Sequence, residues 1–439
     1  MLEKLRNIFQ VPELRRRVLF TLAMFIVYRM GEHLPTPGVN AQALTSAFRG
    51  QANTLFGLYD MFVGGAFSRA TIFALGIMPY ISASIIFQLL GAVVPSLEKL
   101  RKEGEEGQKK ITQYTRYATV LLAILQSYAY AMFLESLGRS QGLSVVPDAG
   151  PLFFLSTMVT QTAGTIFVMW LGEKITEFGI GNGISLIIFV NIIGAFPNSI
   201  AQTIDSFRAG NLPVISVLAL LATLVLVTAS VVMMTQGVRK IPVQYPNRTV
   251  GRKQFAGQST HIPLRVNTAG VIPIIFASSL MILPATMAGF FPPDHPAQAV
   301  VAWFNPNGIL YNVLYGAIII FFTYFYTAVV LNPNDLAENM RKHNGFIPGI
   351  RPGRKTAEFI DRVLGRITLP GAVFLALVAV LPDSFIMWLG VPALGFGGTS
   401  VLIVVGVALD TLQQIESHLL MRHYEGFVKK GRIRGRARM

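Results

Sequence analysis

Gly76-Ile77-Met78-Pro79, followed by Ala83-Ser84, and Gly270-Val271-Ile272-Pro273, followed by Ala277-Ser278, are near-copies of one phrase set 194 residues apart. Each copy lies in a long run without Asp, Glu, Lys or Arg: Ala70 to Leu97 and Val266 to Pro293. Runs of that length predict membrane-spanning helices, here broken by a proline. A matched pair of interrupted helices in the two halves of a membrane protein points to its working site.

The rest of the chain agrees with a membrane protein. Of its 439 residues 52% are hydrophobic and only 13% charged, with a mean hydropathy of +0.52. Further charge-free runs cover Ala149 to Gly172, Phe178 to Ile204 and Ala209 to Val238. Each exceeds the roughly 20 residues a helix needs to cross the hydrocarbon core. Lipid offers the backbone no hydrogen-bond partner, so helices are required there. Tyr117 to Leu134 and Gly308 to Leu331 add two spans; Val18 to His33, Ile367 to Asp383 and Thr399 to Leu420 bring the expected number to ten.

Lys and Arg set the orientation. With an inward N-terminus, the cytoplasmic segments are residues 1–17, 95–116, 173–183, 238–268, 332–367 and 422–439, and they hold 32 of the 37 basic residues. Arg29, Arg49, Arg69, Arg139 and Arg208 are the rest. Short loops rich in Lys and Arg stay in the cytoplasm, so both termini are expected there. This asymmetry accounts for the +15 net charge; topology and attraction to anionic lipid would by themselves produce it. No cleavable signal peptide is expected, because Val18 to Tyr28 is followed by Arg29, Glu32-His33 and Pro35 rather than a small-residue cleavage site.

Several chemistries lack their residues. With no cysteine, disulfides, Cys-ligated metal and thiol catalysis are excluded. The six histidines form no H-E-x-x-H, and neither G-x-S-x-G nor a P-loop occurs. No catalytic residue, metal or cofactor is therefore expected, and any energy comes from a partner or a gradient. Ion-coupled transporters usually place a carboxylate, Lys or His near the bilayer centre. The middle six spans carry only neutral polar groups: Ser82, Ser84, Gln88, Gln161, Asn182, Asn191, Ser278 and Ser279. A small-solute transporter or a membrane-embedded enzyme is poorly served by such a midplane, although the serines equally suit close helix packing.

The 194-residue offset also lays the run from Val18 over that near Leu212, and the run from Tyr117 over that from Tyr311. Spans one to five then repeat as six to ten, and five being odd, the second copy is inverted. The expected organisation is an N-terminal segment 1–17, a first half 18–204, a second half 205–421 with long basic loops 238–268 and 332–367, and a basic tail 422–439. Leu55 to Phe67, apolar but too short to span, reads either as a re-entrant element hinged at Gly64-Gly65 or as an amphipathic helix on the outer surface.

Long motifs carry a resemblance. Gly64-Gly65-Ala66-Phe67-Ser68-Arg69 through Phe73 to Ser84 closely resembles the bacterial SecY family, the large subunits of Sec protein-conducting channels. So do Gln113-Tyr114-Thr115-Arg116-Tyr117, Trp170-Leu171-Gly172-Glu173, Gly179 to Ser185, Gln258 to Leu264, Phe346 to Gly353 and Gly397-Gly398-Thr399-Ser400. The resemblance extends from about Leu14 to Glu425.

It implies an all-α protein of ten transmembrane helices, two inverted five-helix halves around an hourglass pore. By similarity Ile77, Ile81, Ile188, Ile275 and Ile403 would form the waist, an apolar constriction that excludes ions by dewetting yet offers a polypeptide nothing to bind. Leu58, Tyr59, Asp60, Met61, Phe62, Val63, Gly64, Gly65, Ala66 and Phe67 would be the plug. Ser82, Ser84 and Gln88 would oppose Ser278 and Ser279 across a lateral gate to lipid. Arg252, Lys253 and Arg351 would dock the SecA ATPase or the ribosome. SecE and SecG subunits, signal peptides, unfolded preproteins and the bilayer of the bacterial inner membrane complete the implied partners.

Overall fold

The computed structural model describes residues 11–48, 55–245, 248–250, 253–255, 259–288, 308–388 and 397–430. Along the chain run α1 (Pro12–Gly31), α2 (Ala41–Phe48), α3 (Leu55–Phe62), α4 (Met78–Val93), α5 (Pro95–Lys102), α6 (Glu105–Gln141), α7 (Pro151–Phe178), α8 (Gly183–Arg208) and α9 (Val214–Gln236). Strands β1 (Val238–Gln244), β2 (Arg248–Val250), β3 (Lys253–Phe255) and β4 (Ser259–Arg265) follow. Then come α10 (Ile272–Ala288), α11 (Ile309–Val330), α12 (Pro333–Lys342), α13 (Arg354–Trp388) and α14 (Gly398–Lys430). Helices α6 to α9, α11, α13 and α14 are each long and apolar enough to cross a membrane, and α4 with α5 form a bent eighth candidate. With α1 and α10 at the first and seventh positions, every expected span has its helix. The chain is an all-α multi-pass membrane protein with, among the described residues, two small two-stranded pairings, the ribbon of β1 with β4 and the pair β2 with β3.

The opening repeat is visible in backbone geometry. Helices α4 and α10 each start one residue before their proline, at Met78 and Ile272. Proline suits a helix start because its missing N–H would be unpaired there anyway. Gly76 and Gly270 both adopt left-handed backbone, with φ +53° and +63°. A side chain at either would strain that turn.

Two expectations are corrected here. The run from Ala70 to Leu97 is not one helix: residues 70–77 are turns, α4 occupies 16 residues, and the chain then bends by 98° into α5. The bend falls at Val94, held extended (φ −93°, ψ 114°) by the following Pro95, as proline disfavours helix in the residue before it. Residues 354–366, expected within the loop 332–367, are helical, and the cytoplasmic segment 95–116 is helical apart from a turn at 103–104. Helix α6 begins at Glu105, just after Gly104 and well outside the apolar run, and α13 begins at Arg354.

The chain divides into two compact units: Met1–Arg49, Asp60–Gly194 and Val407–Met439 in one, Gly50–Tyr59 and Ala195–Gly406 in the other. In the first, α6 packs on α4 and α7, and α1 on α7. The motif from Gly179 to Ser185 is its junction. Asn182 Oδ1 caps α8 by accepting from Ile184 and Ser185 N–H (3.1 and 3.2 Å), Thr21 Oγ1 accepts from Ile180 N–H (3.2 Å), and Gln414 Oε1 accepts from Gly181 N–H (3.0 Å). Leu14 and Ile180 form a buried cluster there, with Val11, Val18, Ile415 and Leu419 against it.

In the second unit α13 packs on α9, α11 and α12, and α11 on α10. Asp383 Oδ1 accepts from Gly398 N–H at 2.8 Å, joining α13 to the start of α14. The two long basic stretches share one core. Strand β1 pairs antiparallel with β4, and Gln244 exchanges both backbone bonds with Phe346 (2.9 and 3.0 Å). Ile241, Val243 and Leu264 from the ribbon are buried with Met340, Ile347, Ile360 and Leu364. Alternation along β1, Ile241 and Val243 in, Lys240 and Pro242 out, follows the two-residue period of a strand.

Candidate functional site

The short apolar segment after α2 is lodged in the protein rather than lying on a surface. Tyr59, Phe62, Val63, Ala66 and Phe67 are all buried. Beyond α3 the chain folds back on itself. Asp60 Oδ1 accepts from Ser68 N–H (2.9 Å), and Arg69 donates to the Gly65 and Gly64 carbonyls (2.8 and 2.9 Å). Burial lifts the Asp60 carboxyl above its usual range, opposed by the Ser68 hydrogen bonds and Arg69. The Phe67 ring packs against Phe48, Tyr130 and Phe133, and Tyr130 donates to the Phe67 carbonyl at 2.7 Å.

Polar side chains hold this segment from behind. Asn191 on α8 donates to the Phe62 carbonyl (2.8 Å) and to the Tyr28 hydroxyl oxygen (2.9 Å). Gln161 on α7 donates to Thr71 O and Thr36 Oγ1, both at 2.8 Å. At the end of α1, Arg29 pairs with the fully buried Glu32 (2.5 Å) and donates to Val190 O (2.6 Å). Gly64, at φ +70°, fits beneath them: a Cβ there would lie 2.7 Å from Glu32 Oε1 and 3.1 Å from Asn191 Oδ1. Asn191 and Gln161 read in the sequence only as neutral polar groups, and Arg29 and Glu32 as charges at the end of the first apolar run. An Arg and a Glu three apart at the end of the first apolar run was the available signal.

Among the other sequence candidates, Ile77, Ile81 and Ile188 are buried in the first unit, and Ile275 and Ile403 in the second. Ser82 is buried, whereas Ser84 and Gln88 are half-buried and bonded to each other (3.1 Å). Ser278 is buried and hydrogen-bonds the Ile274 carbonyl (2.9 Å) and the Tyr315 hydroxyl (2.8 Å) within its own unit; Ser279 is buried beside it. Arg351 is exposed on the turn between α12 and α13. Lys253 belongs to β3, paired with Val250, while Arg252 and the Lys253 side chain lie outside the described residues.

The chain is thus a helical membrane protein with a helix too short to span, α3, whose Tyr59 and Phe62 are buried. The SecY family model matches residues 71–412, and the chain belongs to the SecY family. It is similar to the protein translocase subunit SecY of Aquifex aeolicus (strain VF5), 44% identical over 98% of this chain and 100% of that one. It is likewise similar to that of Escherichia coli (strain K12), 47% identical over 97% of this chain and 96% of that one. A solved structure described as a protein conducting channel shares the fold, with a TM-score of 0.67, 18% identity and coverage of 92% and 93% of the two chains.

Proposed function

We infer that this chain is the protein-conducting channel subunit of a Sec translocase, a channel and not an enzyme. The observation that carries this reading is 44–47% identity, end to end, to translocase subunits. In it, Ile77, Ile81, Ile188, Ile275 and Ile403 form the waist, residues 58–67 the plug, and Ser82, Ser84 and Gln88 face Ser278 and Ser279 at a lateral gate.

Two exits follow from magnitudes. A Leu-rich signal segment of about ten residues gains roughly 3–6 kcal/mol on entering the bilayer, whereas each charged residue costs about 2.5–3.5 kcal/mol at its centre. Apolar segments leave sideways and hydrophilic chain passes through. Small residues at the seam allow close contact when shut.

SecE and SecG are the companion subunits in this reading, and SecA or a ribosome supplies the driving force. The second unit's ribbon and the turn bearing Arg351 share one core, which supports a single docking face; cationic loops also neutralise RNA phosphates irrespective of sequence. The setting is a bacterial inner membrane with both termini in the cytoplasm, consistent with the distribution of Lys and Arg. The test uses the absence of native cysteine. With Ser82→Cys and Ser279→Cys crosslinked in sealed vesicles, translocation of a secretory preprotein by SecA and ATP should stop and return on reduction. Undiminished translocation with the pair locked would sink the gate.

A further inference from the structure

We propose that Asn191 is the positioning residue that keeps the 58–67 segment seated, with Tyr28 as its brace; this rests on the reading of that segment as a plug. The need for such a residue begins with helix geometry. The last carbonyls of a helix have no partner inside it. In the turn after α3, Gly64, Gly65 and Ala66 N–H go to the carbonyls of Met61, Asp60 and Val63. The Phe62 carbonyl takes its bond from Asn191 Nδ2 at 2.8 Å. A side chain from another helix therefore ends α3, and α3 cannot leave without breaking that bond.

The amide is held in one orientation. Both its hydrogens are committed, one to Phe62 O and one to Tyr28 OH, and a flip would set Oδ1 against the Phe62 carbonyl. Tyr28 is fully buried, and its ring stacks on Phe73 with centroids 5.6 Å apart and planes within 6°. Next to Asn191, Arg29 donates to the Val190 carbonyl and fixes the α8 backbone. Gly64 completes the seat, since a Cβ there would lie 2.7 Å from Glu32 Oε1 and press on Asn191 Oδ1 at 3.1 Å.

The placement on α8 couples seat to waist. Asn191 lies three residues beyond Ile188, on the same helix face. A polypeptide that pushes Ile188 aside moves the amide with it. The seat then loosens as the waist is entered, while a channel at rest stays sealed.

The test reconstitutes the complete complex into sealed vesicles and follows resting chloride efflux, which a merely structural role would not raise. Removal of residues 58–67 should raise the leak. Asn191→Leu should raise it roughly tenfold, corresponding to ~1.4 kcal/mol in the balance of seated and released forms. Tyr28→Phe, which removes one oxygen from a ring that keeps its stack, should raise it less. In the background lacking 58–67, Asn191→Leu should add nothing. If the deletion leaks and neither point variant does, the latch is wrong and the plug reading stands. If the deletion itself does not leak, the plug reading fails and takes the latch with it. Should Asn191→Leu not assemble, Tyr28→Phe decides: an unchanged leak overturns the proposal.

Discussion

Arg116 and Glu173, 57 residues apart, form a two-pronged ion pair, Nε to Oε1 at 2.9 Å and Nη2 to Oε2 at 2.8 Å. It ties α6 to α7 and joins two of the motifs that carry the family resemblance. The pair is partly exposed, 48% at Arg116 and 23% at Glu173, so its worth is that of a surface bridge with good geometry. Arg116→Ala should lower stability in detergent by about 0.5–1 kcal/mol. The exchange Arg116→Glu with Glu173→Arg should recover most of it in thermal melts.

Close backbone approach makes a harsher prediction. A Cβ at Gly164 in α7 would lie 1.9 Å from the Ile72 carbonyl, in the turns that precede α4. Neither backbone can yield without moving an element. Gly164→Ala should cost about 1–3 kcal/mol or more, read as a lower melting temperature and less protein in the membrane.

In the second unit Ser278 and Tyr315 share a buried hydrogen bond of 2.8 Å between α10 and α11. A double-mutant cycle with Ser278→Ala and Tyr315→Phe should give a coupling of about 0.5–1.5 kcal/mol in unfolding. Coupling near zero would mean that the two hydroxyls act independently.

Ile360 is fully buried in the core that the ribbon shares with α12 and α13. Ile360→Ala should cost about 2–5 kcal/mol locally. Hydrogen exchange should then quicken in β1 and β4, about a hundred residues earlier in the chain, as well as around residue 360.

Arg351→Glu reverses a charge on an exposed turn. If this turn docks the motor, SecA-driven translocation and ribosome binding should both fall at unchanged protein levels. Survival of both would remove it from the docking face.

The sequence told most about the lipid-crossing parts, because a bilayer forces helices on apolar runs. Seven positions could be read from missing charges alone, and three more, at Val18, Ile367 and Thr399, from apolar runs that are short or charged at one end. Departures came where proline or a neighbour decided: Pro95 turned the end of one run into a 98° bend, and the turns at 70–77 are fixed by contacts with α1 and α7. The ribbon was hidden for another reason. Its strands are short, and Ile241 and Val243, the buried pair of β1, lie within a stretch rich in Lys and Arg. Of the candidate site, the segment from Leu55 to Phe67 was legible as something too short to span. What seats it was not, because Asn191 is 163 residues from Tyr28 and 129 from Phe62 and meets them only in the fold.

The junction at Gly181 sets a timetable for biosynthesis. Its amide is received by Gln414, and Leu14 and Ile180 are covered by Ile415 and Leu419. Gly181 and Gln414 are 233 residues apart, so at roughly 5–20 residues per second some 12–47 s separate their synthesis. For that interval α1, α7 and α8 stand in the membrane with their shared surface uncovered. A chaperone or insertase that shields this face should matter most during the last helix, and truncation before residue 414 should leave the earlier helices inserted but open to proteolysis.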